Sequence, residues 1–94
     1  MTLHANRLEG LVRREPTMRE IAAEVAARHG LDVDVMLRSR CAILIGAARQ
    51  EAMATIYATG RFSNQQVAWL FNLSHHSTVI HARRAVARRA GGAQ

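Results

Sequence analysis

The stretch FSNQQVAWLFNLSHHSTVIHARRAVARR, residues 62–89, contains two helical patterns separated by a short polar turn. The first helix opens with a capping box, in which the side chains of Ser63 and Gln66 satisfy each other's unpaired backbone N–H groups. Its apolar spacing predicts that Val67, Leu70 and Phe71 face inward, and that the aromatic Trp69 lies on the flank. The turn is predicted at Asn72-Leu73-Ser74. Together these signals predict a pair of helices joined by a tight turn.

The second helix of the pair is predicted from about His75 to Arg89. Spacings of three and four residues give it a buried stripe, formed by Val79, Ala82 and Val86. The opposite face, roughly 16 Å long at ~1.5 Å per residue, carries Ser77, His81, Arg84 and Arg88. His76 and Arg83 flank it. This is the geometry that places a recognition helix in the major groove of DNA, although many small helical proteins contain such a pair without touching DNA.

Earlier residues predict three more helices. A capping box at Thr17 and Glu20, directly after the only proline, starts the first, and Gly30 ends it. A short helix follows, capped by Asp32 or Asp34. Residues from about 40 to 58 predict a longer helix, ended by Thr59-Gly60. The fold class is therefore all-α with about five helices, organised as an N-terminal arm at 1–16, one domain at 17–90 and a tail at 91–94.

Charge is distributed unevenly along the 94 residues, whose formal net charge is +6. All 13 basic residues are arginines, and all seven acidic residues lie within residues 1–51, so that residues 52–94 hold five arginines and no acid. A purely cationic half is typical of a surface that binds a polyanion. The alternative is a solvated basic face that keeps the protein soluble.

Several classes of protein are disfavoured by what the sequence lacks. No segment approaches the roughly 18 consecutive apolar residues of a membrane span, and the N-terminus has no secretory pattern, so a cytoplasmic protein is expected. The single cysteine, Cys41, excludes an internal disulfide and is expected to be a structural thiol. His75, His76 and His81 are poorly spaced for a metal site on one helix. No acid, base and nucleophile constellation is present, so we expect neither an enzyme nor a cofactor.

The run His76-Ser77-Thr78-Val79-Ile80-His81-Ala82 resembles the signature D-H-[ST]-T-V-x-H-A, which opens the recognition helix in the C-terminal origin-recognition domain of the bacterial replication initiator DnaA. Upstream, Arg49-Gln50, Ala52-Met53 and the helix with Val67 and Phe71 are similar to that family without a gap. The resemblance covers about residues 17–89. It implies a TrpR/DnaA-C-terminal-like fold containing a helix-turn-helix, and sequence-specific binding of double-stranded DNA at DnaA-box-like sites.

The resemblance also assigns roles to individual residues. It implies that His76 and Ser77 face base edges, that Thr78 and His81 face phosphates, and that Arg49 with Gln50 faces the backbone and neighbouring bases. Combined with the outward basic face, the full candidate set for DNA binding is Arg40, Arg49, Gln50, His75, His76, Ser77, Thr78, His81, Arg83, Arg84 and Arg88.

Three features depart from the family pattern. His75 replaces the acidic residue that precedes the signature histidine, so the preferred DNA sequence is expected to differ. The family's basic loop corresponds to the mostly apolar residues 38–48, where Cys41 takes the minor-groove position with Arg40 beside it. The initiator's ATPase domain has no counterpart, because the chain contains no Gly-rich phosphate loop and no lysine.

The expected role is therefore DNA binding in replication initiation or its regulation, without ATPase activity, in the nucleoid, with the initiator or its regulators as further partners. One alternative is a protein-interaction module with little DNA binding that contacts the initiator or a regulator through the apolar run 41–48, and another is a helix-turn-helix transcription regulator. We expect one or two of Ile43, Leu44 and Ile45 to be buried.

Trp69 is expected to pack against the core, with stacking on bases as the alternative. The DNA target and the oligomeric state stay open.

Overall fold

The computed structural model describes residues 15–39 and 42–92. In the second of these ranges, side chains are described for residues 45–91. Within these residues the chain forms five helices and no strands, which confirms the all-helical prediction. The helices are α1 (Met18–Arg28), α2 (Val33–Arg38), α3 (Ala42–Ala58), α4 (Asn64–Leu70) and α5 (Ser77–Gly92). Residues 1–14 of the predicted arm, Arg40, Cys41 and the side chains of Ala42, Ile43 and Leu44 lie outside the described residues. No described helix is long and apolar enough to cross a membrane.

Both capping boxes form as predicted. The Thr17 hydroxyl accepts from the Glu20 amide and the Glu20 carboxylate accepts from the Thr17 amide, and Ser63 and Gln66 make the same pair of bonds before α4. Asp32 is the cap of α2, since its carboxylate accepts from the amides of residues 34 and 35. These local bonds fix where three of the helices begin.

The helix ends also follow the sequence signals. Gly30 has a φ of 70° after α1, and Gly60 has a φ of 78° after α3. At the end of α1 the Gly30 amide donates to the Ala27 carbonyl and the Leu31 amide to the Ala26 carbonyl, which is the Schellman arrangement. A left-handed residue reverses the chain here, so that α2 can fold back on α1.

Helix α3 lies at the centre of the molecule and packs against each of the other four helices. It contributes the buried side chains Ile45, Ala48, Ala52, Met53 and Ile56. Other helices supply the rest of the core, chiefly Ile21, Val25, Met36, Val67, Phe71 and Val79. Within the part of the chain that the structure describes, every buried side chain is apolar.

An exposed ion pair joins α1 to α2. The Arg19 guanidinium donates to the Asp34 carboxylate at 2.7 Å. This hydrogen bond, aided by the charges of Arg19 and Arg38, lowers the pKa of Asp34 below its ordinary value. A carboxyl group with a depressed pKa stabilises the fold above its unfolded-state pKa, and this stabilisation is lost as the pH falls through the folded-state pKa. Because both side chains are half exposed, the contribution is small.

The sequence predictions need correction at three points. Helix α5 begins at Ser77 rather than His75 and continues through Gly92, past the predicted end at Arg89. Val86 is only half-buried, because the last turns of α5 extend beyond the core. Leu70 is likewise half-buried, and Ala68 takes its place among the inward residues of α4.

The described part of the apolar run belongs to α3, and Ile45 is buried at 4% exposure. The prediction that one or two of the three large residues are buried is therefore confirmed for Ile45. Replacing Ile45 with Ala should cost about 2–5 kcal/mol of unfolding free energy through the cavity left behind. Urea unfolding measures this, and Val35→Ala is the control because Val35 is 50% exposed. Equal losses in the two variants would contradict the burial of Ile45.

Candidate nucleic-acid interface

The connection between α4 and α5 is built around Asn72. This residue has a φ of 64°, a left-handed conformation that asparagine tolerates better than most residues. The Asn72 amide donates to the Trp69 carbonyl and the Leu73 amide to the Ala68 carbonyl, which completes a second Schellman arrangement. Residues 71–76 thus turn the chain sharply, and α5 starts close to the end of α4.

His76 occupies the position immediately before α5. Its carbonyl accepts hydrogen bonds from the amides of Val79 and Ile80 at 3.0 and 3.2 Å. His76 is therefore the cap residue, whose carbonyl accepts the first bonds of the helix, and the helix begins one residue later at Ser77 rather than at the predicted His75. The side chains of His75 and His76 are both exposed.

Helix α5 has the exposed face that its spacing predicts, and two of the three residues predicted to be buried are buried. Val79 and Ala82 are buried against α3 and α4. The opposite face is exposed along its whole length and comprises Ser77, His81, Arg84 and Arg88. Thr78, on the side of the helix that faces α3, is also exposed. A row of donor side chains therefore points away from the body of the domain.

A cleft of about 430 Å³ lies between α5, the first half of α3, the end of α2 and the turn after α4. Its wall on α5 includes Thr78 and His81, and its wall on α3 includes Arg49 and Gln50. The structure thus brings together four residues of the candidate set that are distant in sequence. Arg38, exposed at the end of α2, lines the same cleft. Arg40 lies outside the described residues.

Arg49 makes contacts within the protein. Its Nη1 donates to the carbonyls of Met36, Leu37 and Ser39 at 2.7, 3.0 and 3.2 Å, and its Nη2 donates to the Phe71 carbonyl at 3.4 Å. The guanidinium also lies 5.1 Å from the centre of the Phe71 ring. Burial lowers the pKa of Arg49 below its ordinary value, although an arginine stays protonated in proteins. A structural role of this kind has no signal in the sequence.

Two further candidates are also engaged within the fold. The Gln50 side-chain oxygen accepts from the Arg89 guanidinium, which links α3 to the far half of α5. The Arg83 guanidinium lies 3.7 Å from the centre of the Tyr57 ring and donates to Asn64. Arg83 is therefore turned toward α3 and α4 rather than toward the outward face of α5.

Trp69 is 64% exposed, so the prediction that it packs against the core is wrong. It lies on the outer side of α4, whose inner side holds Val67, Ala68 and Phe71. The stacking alternative for this ring remains a prediction. In the described part of the chain, no three histidine, cysteine, aspartate or glutamate side chains converge as metal ligands would.

Comparison with models of protein families, with curated proteins and with solved structures finds no match to this chain.

Trp69 and Phe71 are two residues apart but differ in exposure, 64% against 1%. Trp69→Ala should change the unfolding free energy by no more than about 0.5 kcal/mol, as for an ordinary surface site. Phe71→Ala should cost about 3–5 kcal/mol. Chemical unfolding followed by circular dichroism compares the two variants, and a loss above about 2 kcal/mol for Trp69→Ala would show that the ring is packed.

Proposed function

We propose that this chain is a double-stranded DNA-binding domain, in which α4, the turn and α5 act as a helix-turn-helix and α5 is the recognition helix. The observation that carries the proposal is the outward face of α5, where histidine, hydroxyl and arginine side chains are exposed together. Such a row can donate hydrogen bonds to base edges and phosphates. The proposed contacts are made by His76, Ser77, Thr78, His81, Arg84 and Arg88.

The distribution of charge supports the same proposal. The described residues from 52 onwards contain no acid that would repel a phosphate backbone. The acid nearest to them in sequence, Glu51, pairs with Arg28 at 3.0 Å and with His29 at 2.7 Å. Its carboxylate is therefore directed toward the end of α1. A surface that carries arginines and no acid has the positive potential to which a polyanion would dock.

For the biological role, we propose binding at DnaA-box-like sites in replication initiation or its regulation, without ATP hydrolysis, in the nucleoid. The support is the similarity of residues 76–82 to the initiator signature, together with the exposure of His76, Ser77 and His81. The initiator or its regulators are proposed as further partners. The substitution at His75 points to a site preference that differs from the initiator's own.

Fluorescence anisotropy with a DnaA-box duplex and a scrambled duplex of equal length tests the proposal. We expect tighter binding to the box, and an affinity for both duplexes that falls steeply as salt is raised, because bound arginines release counterions from the phosphates. Equal affinity for the two duplexes would favour a different target, as for a transcription regulator. Binding to neither duplex would favour the protein-interaction alternative.

His76 is expected to supply discrimination between sequences. His76→Ala should reduce the preference for the specific duplex by roughly 1–3 kcal/mol and leave binding to the scrambled duplex nearly unchanged. Because His76 is exposed, its replacement should not alter thermal stability. An equal loss on both duplexes would contradict a base-reading role.

Arg84 and Arg88 are expected to contact phosphates, because they lie farther from the start of α5. Replacing either with Ala should weaken binding to all sequences alike and reduce the salt slope by about one unit per lost contact. Arg19→Ala, on α1, is the control and should leave the slope unchanged. A slope unaffected by loss of Arg84 or Arg88 would remove that residue from the interface.

A further inference from the structure

The Arg49 bridge, which we define as the bonds from the Arg49 guanidinium to Met36, Leu37, Ser39 and Phe71, joins the ends of two helices. Met36 and Leu37 belong to the last turn of α2 and Ser39 is its C-cap, while Phe71 is the C-cap of α4. The carbonyls in the last turn of a helix have no partner within that helix. A single cationic side chain therefore donates hydrogen bonds to carbonyls at both ends.

The bridge is suited to this position by charge as well as by geometry. The partial negative charge at the C-terminus of a helix attracts a cation, and bonds from an ionised donor are stronger than those between neutral groups. The planar guanidinium can donate in several fixed directions at once, which a lysine ammonium on the same helix could not reproduce. The Phe71 ring beneath Arg49 adds a cation–π contact.

Both joined ends lead to parts of the proposed interface. The end of α2 carries Arg38, which lines the cleft, and the end of α4 leads through the turn to His76 and α5. Thr78 and His81 form the opposite side of that cleft. The Arg49 bridge therefore sets the position of Arg38 relative to the recognition helix.

We infer that Arg49 is a positioning residue, which holds the end of α2 against the turn that enters α5, and does not itself contact a phosphate. The inference rests on the proposed function and assigns to Arg49 a role different from the one implied by the resemblance. Three carbonyls share the two hydrogens of Nη1, and a guanidinium that turned toward a phosphate would have to break these bonds. Arg38 is exposed in the same cleft and could meet a phosphate there in addition to the contacts proposed on α5.

Charge-conserving substitutions separate the two roles. Arg49→Lys keeps the charge but cannot reproduce the bridge. We therefore expect Arg49→Lys and Arg49→Gln to lose a similar amount of affinity for the box duplex, on the order of tenfold or about 1.4 kcal/mol. The salt slope should stay within half a unit of the wild type in both variants, by the estimate of about one unit per phosphate contact. Arg84→Lys and Arg84→Gln form the matched control pair, in which lysine should retain binding and glutamine should lower the slope.

Hydrogen exchange of the protein without DNA tests the bridge independently. In Arg49→Lys the amides of Ser39 and Leu73 should exchange faster, because they close the two helix ends that the bridge joins. The Leu31 amide, in the equivalent position after α1, should be unaffected. Unchanged exchange at Ser39 and Leu73 would overturn the bridge whatever the outcome with DNA.

If both Arg49 variants fail to fold, the wild type provides the measurement. The guanidinium resonances of Arg49 should stay in place when the box duplex is added, while those of Arg84 should shift. A shift of the Arg49 resonances would show a phosphate contact and overturn the inference. The same conclusion would follow if Arg49→Lys kept the affinity and salt slope of the wild type while Arg49→Gln lost both. Wild-type protein that binds neither duplex would defeat the proposed function and this role together, and the exchange experiment would then report on the bridge alone.

Discussion

The packing of α3 against all four other helices is the constraint on which the rest of the structure depends. A helix surrounded in this way has little access to water, so most of its side chains must be small or apolar. Alanines at 48 and 52 let neighbouring helices approach closely, and Ile56 and Met53 fill the space between them. Ile45 meets the same demand, since it is buried where a basic loop would have to be solvated.

The same constraint determines the role of the polar residues on α3. Arg49, Gln50 and Glu51 are consecutive, so they project in three directions about 100° apart. Each one binds a different part of the molecule: Arg49 the ends of α2 and α4, Gln50 the Arg89 guanidinium on α5, and Glu51 the end of α1. A polar side chain on a central helix is stabilising only where it finds a partner. This short segment thus makes a polar contact with each of the four surrounding helices.

Local signals predicted the elements of the fold because the interactions that produce them are local. The capping boxes at Thr17 and Ser63 and the glycine at 30 act within a few residues, and periodicity identifies the buried side of α5. Trp69 and Arg49 could not be predicted in this way. Periodicity places Trp69 on a flank, but whether a flank is covered depends on a neighbouring helix. The partners of Arg49 lie 10 to 22 residues away, so only the folded arrangement reveals them.

The candidate site shows the same division. Exposure of Ser77, His81, Arg84 and Arg88 on one face follows from their spacing, whereas the inward turn of Arg83 depends on Tyr57 across the helix interface. The number of arginines on a helix is therefore a poor measure of the charge it offers to a ligand.

Two of the arginines on α5, Arg83 and Arg89, are held by Asn64 and Gln50. Of the four arginines on α5, Arg84 and Arg88 alone make no hydrogen bond or ion pair within the described residues, and these two lie on the same face as His81. A docked phosphate backbone would meet them without first breaking a contact of the fold, since neither side chain has to be withdrawn from a partner.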